Sequence, residues 1–351
     1  MSKGADPVLL GSAPLVSICI PTYNSGATLA ETLASIIAQT YSRLEILVVD
    51  NASADNTLEV ARRFDDPRIR IHENAENIGA EGNFNRCIQL AGGVYTAIYH
   101  ADDLYLPQMV AEQVGFLERH PAVGGVLTEA VLIDGSGRQT GAINLPAELN
   151  RKDGAGIAFP ELFSALLRHS NFLICPSAMV RTTLYQNVVK GWRGDLFGSS
   201  ADLDIWLRIA RHAQLGLLPA KLMKYRISTA QFSSKVRYQT GRSDFFRVMD
   251  HYLLQDTVRA VMTPRDLENY QRLVRRDTVM RAANLFLMDQ FPQAASLLND
   301  FFSVEMLVAA MRDKRSFTVL LLGLYLKISN VPGLRSCGQA PLRQLKQVFG
   351  K

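Results

Sequence analysis

The chain has 351 residues, 48% of them hydrophobic and 20% charged, with a formal net charge of +5. This composition excludes a disordered or fibrous protein, and the length exceeds what one hydrophobic core usually organises, so one large domain with an extension is expected. The charge is uneven: 18 Lys+Arg against 10 Asp+Glu from Lys235 onward give +8, leaving −3 for the first 234 residues, which fits either a solvated helical surface or a basic face beside an anionic membrane or lipid phosphate.

At the N-terminus, Met1–Pro14 lacks the basic start and long apolar stretch of a signal peptide. Residues 15–128 then alternate between two kinds of segment. Apolar, largely β-branched runs read as buried strands at Leu15–Ile20, Glu45–Val49, Ile69–His72, Val94–Tyr99 and Val123–Leu127. Helix-period stretches separate them at Ala27–Gln39, Thr57–Phe64, Gly82–Leu90 and Gln108–Arg119. The alternation predicts an α/β fold with a doubly wound, mostly parallel sheet, which binds ligands at the carboxyl ends of its strands. Asp134-Gly135-Ser136-Gly137 reads as a hairpin turn, Pro160–Arg168 as a short helix and Asp204–Arg211 as a clearer one. After Ser233 the pattern is mostly helical. The expected organisation is a domain over 1–234, with a donor half at about 15–128 and an acceptor half at about 129–234, and a helical extension over 235–351.

Cys19, Cys87, Cys175 and Cys337 form neither a CxxC pair nor a zinc spacing; three of the four sit in apolar runs, where buried free thiols are the usual outcome, and a reducing, cytoplasmic compartment is expected. The longest apolar candidate, Phe317–Leu326, is too short to span a bilayer. It reads as a core helix, or as a segment lying in a membrane interface between Arg312, Lys314 and Arg315 on one side and Lys327, Arg335, Arg343 and Lys346 on the other.

The chemistry concentrates at the strand ends. The first strand runs into Pro21-Thr22-Tyr23-Asn24, and no GxGxxG follows it. The second ends in Asp50-Asn51-Ala52-Ser53, where the Asp50 carboxylate can accept hydrogen bonds from a base or ribose. The fourth ends in His100-Ala101-Asp102-Asp103. Adjacent carboxylates there repel and call for a cation, and Mn²⁺ or Mg²⁺ with a diphosphate suits such oxygen ligands. Read alone, the pair also fits a solvated loop in which Asp103 caps a helix.

In order and spacing, Pro21-Thr22-Tyr23-Asn24, Val49-Asp50-Asn51-Ala52-Ser53, Asn77-Ile78-Gly79 with Asn83, and Ala101-Asp102-Asp103 resemble the family 2 glycosyltransferases, over roughly Val16–Ser234. The resemblance implies a GT-A fold and inverting transfer from a nucleoside diphosphate sugar, with a UDP-sugar favoured. It implies that Thr22, Asn24 and Asp50 line the nucleotide pocket, that Asn77, Gly79 and Asn83 approach base and ribose, and that Ala101, Asp102 and Asp103 form the metal and diphosphate region. His100 stands where many relatives carry Asp; it either ligates a metal or packs at the strand end. Asp202, one residue after Ala201, matches the family's general base, although the usual preceding Glu is missing; the alternative is an N-cap or first-turn acid of the following helix. Asp204 and Arg208 read as structural, and Trp206 as core or acceptor wall. Arg226 and Gln231 are candidates for diphosphate contact, and Ser228 stands where relatives often place His.

The expected partners are a nucleotide sugar and a saccharide or lipid-linked acceptor, with no nucleic acid. A peripheral contact at the inner face of the cytoplasmic membrane and a homo-oligomer are compatible with the sequence. The competing reading is a catalytically weak nucleotide-sugar-binding subunit, motivated by Ala201 and Ser228. A sugar nucleotidyltransferase would show a Gly-rich basic loop after the first strand, which Pro21–Gly26 lacks.

Overall fold

The computed structural model describes residues 13–151, 154–227 and 239–349. The first half follows the expected alternation: β1 (Val16–Thr22), α1 (Leu29–Ile37), β2 (Leu44–Asp50), α2 (Thr57–Arg62), β3 (Ile69–Glu73), α3 (Gly79–Leu90) and β4 (Tyr95–Ile98). A two-residue β5 (Leu104–Tyr105), α4 (Met109–Arg119), β6 (Val123–Ile133) and β7 (Gln139–Ile143) come next. Then follow α5 (Phe159–His169), β8 (Met179–Arg181), short α6 (Thr182–Leu184) and α7 (Gly194–Phe197), α8 (Ala201–Ala210) and β9 (Gln214–Arg226).

The strands form one sheet in the order β3-β2-β1-β4-β8-β6-β9-β5, with β7 beside β6. The half β3-β2-β1-β4 is parallel throughout. The direction reverses at β8, while β6 and β9 run parallel to each other. Alternate residues of β1 and β2 feed two different layers. Ile18, Ile20, Ile46 and Val48 pack with Leu29, Leu33 and Ile36 of α1. Cys19, Leu47 and Val49 face Cys87 and Ile88 of α3 and the large core of the second half. A strand covered on both faces must be apolar at every position, which is why these runs do not alternate in sequence.

The 235 boundary lies outside the described residues, and the cores divide further along. The helix Asp244–Leu253 inserts Phe245, Phe246, Met249 and Tyr252 into the core of the sheet domain. The long helix Pro264–Leu287 contributes Tyr270 and Leu273 to that same core, and only from Val279 onward to a separate one. That second core is filled by Phe286, Phe301, Met306, Leu320 and Leu326 from the helices that follow.

Phe317–Leu326 lies within the helix Lys314–Ser329 and is two-faced. Leu320, Gly323 and Leu326 are buried, with Gly323 so close under the Phe301 ring that a Cβ would lie 2.5 Å from it. Phe317, Leu321, Leu324 and Ile328 are exposed. Among the described residues no helix is long and apolar enough to cross a membrane.

Candidate donor pocket and catalytic carboxylates

A pocket of about 720 Å³ opens at the carboxyl ends of β1, β2 and β4, where the parallel sheet predicts it. It brings together Thr22, Asn24, Asn77, Gly79, Asn83, Ala101 and Asp102, with His100, Asn51 and Phe84. Of the residues expected at the donor site, Asp50, Asp103 and Arg226 are not among its walls.

Asp50 is buried beneath the pocket. The β1–β2 register sets Thr22 opposite Asp50. Thr22 Oγ1 donates to Asp50 Oδ1 at 2.9 Å, Ser53 Oγ to the same oxygen at 2.6 Å, and Ser53 N to Oδ2 at 2.9 Å. Both carboxylate oxygens are thus engaged in holding the two strand-end loops. Asn24 joins the same stitching: its N–H donates to Ser53 Oγ, and its Oδ1 accepts from Ala54 N, both at 2.9 Å. Its left-handed backbone, φ 50°, is one that Asn tolerates better than most residues.

The neighbouring residue, Asn51, reaches the pocket wall that Asp50 does not. It lines the pocket and organises an asparagine network. Asn51 Nδ2 donates to Asn77 Oδ1 at 2.8 Å and to Gly79 O at 3.1 Å, while its Oδ1 accepts from Asn74 Nδ2 and Ile78 N. Asn83 Nδ2 donates to Val49 O at 2.9 Å, tying α3 to the end of β2. Gly79 opens α3 with φ 77°, a left-handed value that Gly adopts without steric cost. The N-terminus of this twelve-residue helix, Gly79 and Ala80, therefore faces the pocket, where helix ends favour anions. Asn51, which stands in the Val49–Ser53 motif without a role of its own, and Asn74 are not assigned from the sequence.

The loop after β4 is pinned through its backbone. Thr28 Oγ1 donates to Ala101 O at 2.8 Å and Thr32 Oγ1 to Asp103 O at 2.9 Å. His100 N donates to Tyr105 Oη at 2.8 Å. Arg226 anchors the loop from behind: its N–H donates to Asp103 Oδ1 and its Nε to Asp102 O, each at 2.8 Å. The rest of the guanidinium engages Gly135 O and Glu31, at 3.2 and 2.6 Å. Arg226 is thus buried at the end of β9 with its donors committed to protein acceptors, and it holds the aspartate loop instead of meeting the pocket.

His100, Asp102 and Asp103 offer ligand atoms within 4.8 Å of one another. Asp102 faces the pocket; Asp103 is fully buried behind it. Among the described residues, Asp103 Oδ2 and His100 Nε2 have no hydrogen-bond partner, and Oδ2 lies 4.0 Å from His100 Nδ1. Burial, and then the Asp102 charge, push the Asp103 carboxyl well above the ordinary range. Burial holds the His100 imidazole below its ordinary value, against the pull of Asp102, so it is neutral and able to ligate. A buried acid with an orphaned oxygen beside a second acid is an arrangement that a divalent cation relieves.

Asp202 and Asp204 both fall in the first turn of α8, which starts three residues earlier than the sequence pattern suggested. Their surroundings differ. Asp204 is fully buried and bound by Arg193, by Tyr252 Oη at 2.9 Å and by Arg208 Nε at 2.9 Å. It joins α8 to the helix Asp244–Leu253 and is structural, as is Trp206, which is wholly in the core. Asp202 is partly exposed, and burial pushes its carboxyl up to about 6 despite backbone N–H groups that lower it. The Cys175 thiol is raised by burial and then by the Asp202 and Asp103 charges. Asp202 is outside the wall of the 720 Å³ pocket. Ser228 and Gln231 lie outside the described residues.

Residues 17–188 match the profile of the family described as "Glycosyl transferase family 2". The chain is 28% identical over 279 residues to EpsE of Bacillus subtilis (strain 168), provisionally named a glycosyltransferase, covering 75% of this chain and 95% of that one. It is 28% identical over 181 residues to an Escherichia coli protein named UDP-Glc:alpha-D-GlcNAc-diphosphoundecaprenol beta-1,3-glucosyltransferase WfaP, covering 50% of this chain and 63% of WfaP. Among solved structures, S. aureus TarS 1-349 in complex with UDP-GlcNAc superposes with a TM-score of 0.59 at 17% identity, over 94% of this chain and 92% of that one. The mannosyltransferase PcManGT from Pyrobaculum calidifontis, in complex with GDP-Man and Mn²⁺, gives 0.50 at 20% identity, over 96% and 88%. The fold is GT-A.

Proposed function

Because residues 17–188 belong to glycosyl transferase family 2, we propose that the protein is an inverting, metal-dependent glycosyltransferase. It moves a sugar from a nucleoside diphosphate sugar, preferentially a UDP-sugar, to an acceptor hydroxyl in surface polysaccharide or glycolipid synthesis. The observation that carries this reading is the pocket at the carboxyl ends of β1, β2 and β4, which joins the asparagine network around Asn51 to the His100–Asp102–Asp103 cluster. TarS and PcManGT, whose structures contain UDP-GlcNAc and GDP-Man, share the fold and support a nucleotide-sugar donor.

The base and ribose would lie against Asn51, Asn77 and Asn83, and the diphosphate toward Asp102 and the N-terminus of α3. The residues fit a divalent cation: Asp102, Asp103 and His100 would hold it, using the carboxylate oxygen and ring nitrogen that lack partners. An imidazole in the donor set favours Mn²⁺ over Mg²⁺. When bound, such a cation neutralises charge growing on the leaving diphosphate. Asp202 accepts the proton of the attacking acceptor hydroxyl. A carboxylate lifted to about 6 is a better base than an ordinary one and still ionised at neutral pH. Arg226 and Asp50 keep the loops in place from below.

WfaP is named for a lipid-linked acceptor, and a saccharide or lipid-linked acceptor at the cytoplasmic membrane face is the corresponding proposal for this chain. The test is a panel of nucleotide sugars assayed for release of nucleoside diphosphate. We expect release from one donor class, with Mn²⁺ supporting more turnover than Mg²⁺, and none in excess chelator. Tight donor binding with no release, with or without a range of acceptors, would favour the non-catalytic binding subunit.

A further inference from the structure

Apart from the donor pocket, a cavity of about 980 Å³ opens between the C-terminal end of α5 and the helical extension. It shares no wall residue with the donor pocket. Six arginines line it, Arg168, Arg265, Arg272, Arg275, Arg312 and Arg315, against the three carboxylates Glu268, Glu305 and Asp313. Asp313 is already engaged: its Oδ2 caps the helix Lys314–Ser329 through Ser316 N at 3.0 Å, and lies 3.8 Å from Arg272 Nη1. Among the described residues, Arg265, Arg275, Arg312 and Arg315 form no ion pair with a carboxylate.

The arginines also work against one another. The Arg272 guanidinium is held below its ordinary value by burial, and Arg315, Arg168 and Arg265 add to the effect while Asp313 opposes it. Three helices begin at the cavity, Pro264–Leu287, Val304–Arg312 and Lys314–Ser329, with Pro264, Val304 and Ser316 in its wall. These helix starts are capped by Thr263 with Asp266, by Ser303 and by Asp313, and α5 and Val304–Arg312 end at the same wall, so the positive potential comes from the arginines. Such a field is stabilised by a multiply charged anion, and guanidinium groups bind phosphate oxygens in forked geometry. Beside the cavity stands an apolar row, Val304, Leu307, Met311 and Phe317, each at least half exposed. Apolar side chains next to cations match an amphiphile with an anionic head.

We propose that this cavity seats the phosphate or diphosphate headgroup of an anionic amphiphile, with Val304, Leu307, Met311 and Phe317 entering its apolar layer. The site reaches beyond the donor reading and does not rest on it. It also gives a location to the excess positive charge of the C-terminal third.

The experiment is vesicle flotation of the full chain with phosphatidylglycerol and with phosphatidylcholine, in the absence and presence of millimolar pyrophosphate. Three proteins are compared: wild type, the cavity pair Arg265→Ala/Arg315→Ala, and the pair Arg276→Ala/Arg343→Ala, which removes two exposed cations outside the cavity. We expect binding to phosphatidylglycerol vesicles only, displaced by pyrophosphate. The cavity pair should weaken it by about tenfold or more, and the outside pair by less than about twofold. Circular dichroism and donor hydrolysis should match wild type in both pairs, which keeps this result separate from the donor pocket. Absence of binding to both vesicles, or equal loss in the two pairs, overturns the site. Pyrophosphate binding without vesicle binding overturns the amphiphile and leaves a soluble ligand.

Discussion

Asp102→Asn is expected to lower turnover by about 10²–10³-fold while leaving the fold intact. Metal stabilisation of a leaving diphosphate contributes several kcal/mol, and each 1.36 kcal/mol is tenfold in rate. The substitution keeps the shape of the side chain but removes its charge, so the site loses the pocket-facing oxygen anion of its three-residue cluster. The fold should survive because the loop is held by backbone contacts, Asp102 O to Arg226 Nε and Ala101 O to Thr28 Oγ1. Steady-state turnover at saturating donor and Mn²⁺, with a melting curve alongside, checks both halves. Near-normal turnover in a well-folded Asp102→Asn protein would remove Asp102 from the metal site.

Asp202→Asn should lose about 10²–10⁴-fold in turnover, the span usual for a general base. Donor affinity should change little, because Asp202 stands outside the donor pocket. The wild-type rate should rise with pH and level off, with an apparent midpoint near the carboxyl value of about 6. The same group makes a stability prediction of opposite sign. Its folded value lies above the unfolded one, so the ionised form is the one that burial penalises. That penalty is absent below about pH 4, where both states are protonated, and complete above pH 6, where it reaches up to about 3 kcal/mol. Asp202→Asn should therefore melt higher than wild type at pH 8 and close to it at pH 4. Asp204→Asn should instead melt lower, since it strips the charge that meets Arg193 and Arg208. If Asp204→Asn abolishes turnover without loss of stability while Asp202→Asn stays active, the base is misassigned.

How much of this was legible in the sequence depends on where each feature's partners lie. β1, β2 and β4 were readable because strands covered on both faces are apolar at nearly every position. β9 was not, because Pro219, Lys221 and Lys224 on its half-exposed stretch break the run. The pocket residues on the strand ends followed from the parallel sheet, but a carboxylate at a strand end was read as facing ligand. Asp50 turns under the loops and Asn51 into the pocket, a one-residue difference that only the register with Thr22 decides. Arg226 looked like a phosphate contact because its partners, Asp102, Gly135 and Glu31, lie from 91 to 195 residues away in the chain. The arginine cavity combines Arg168 with residues from three separate helices, and no local pattern marks it. Phe317–Leu326 reads from sequence as core or interface; the helix buries Leu320 and Leu326 and leaves Phe317, Leu321 and Leu324 exposed, a two-faced arrangement that an apolar run does not reveal.

The proposed donor site puts a nucleoside diphosphate in the pocket between β1, β2 and β4, with a cation at His100, Asp102 and Asp103. Equilibrium titration of the wild-type protein with UDP, by calorimetry with Mn²⁺ and with excess chelator, tests it most directly, repeated with Asp102→Asn. Saturable binding with Mn²⁺ is expected, weakened by about tenfold or more in chelator and in Asp102→Asn alike, since a metal–phosphate contact is charge-assisted at both ends. Equal UDP affinity in Mn²⁺ and in chelator, unchanged by Asp102→Asn, would contradict it.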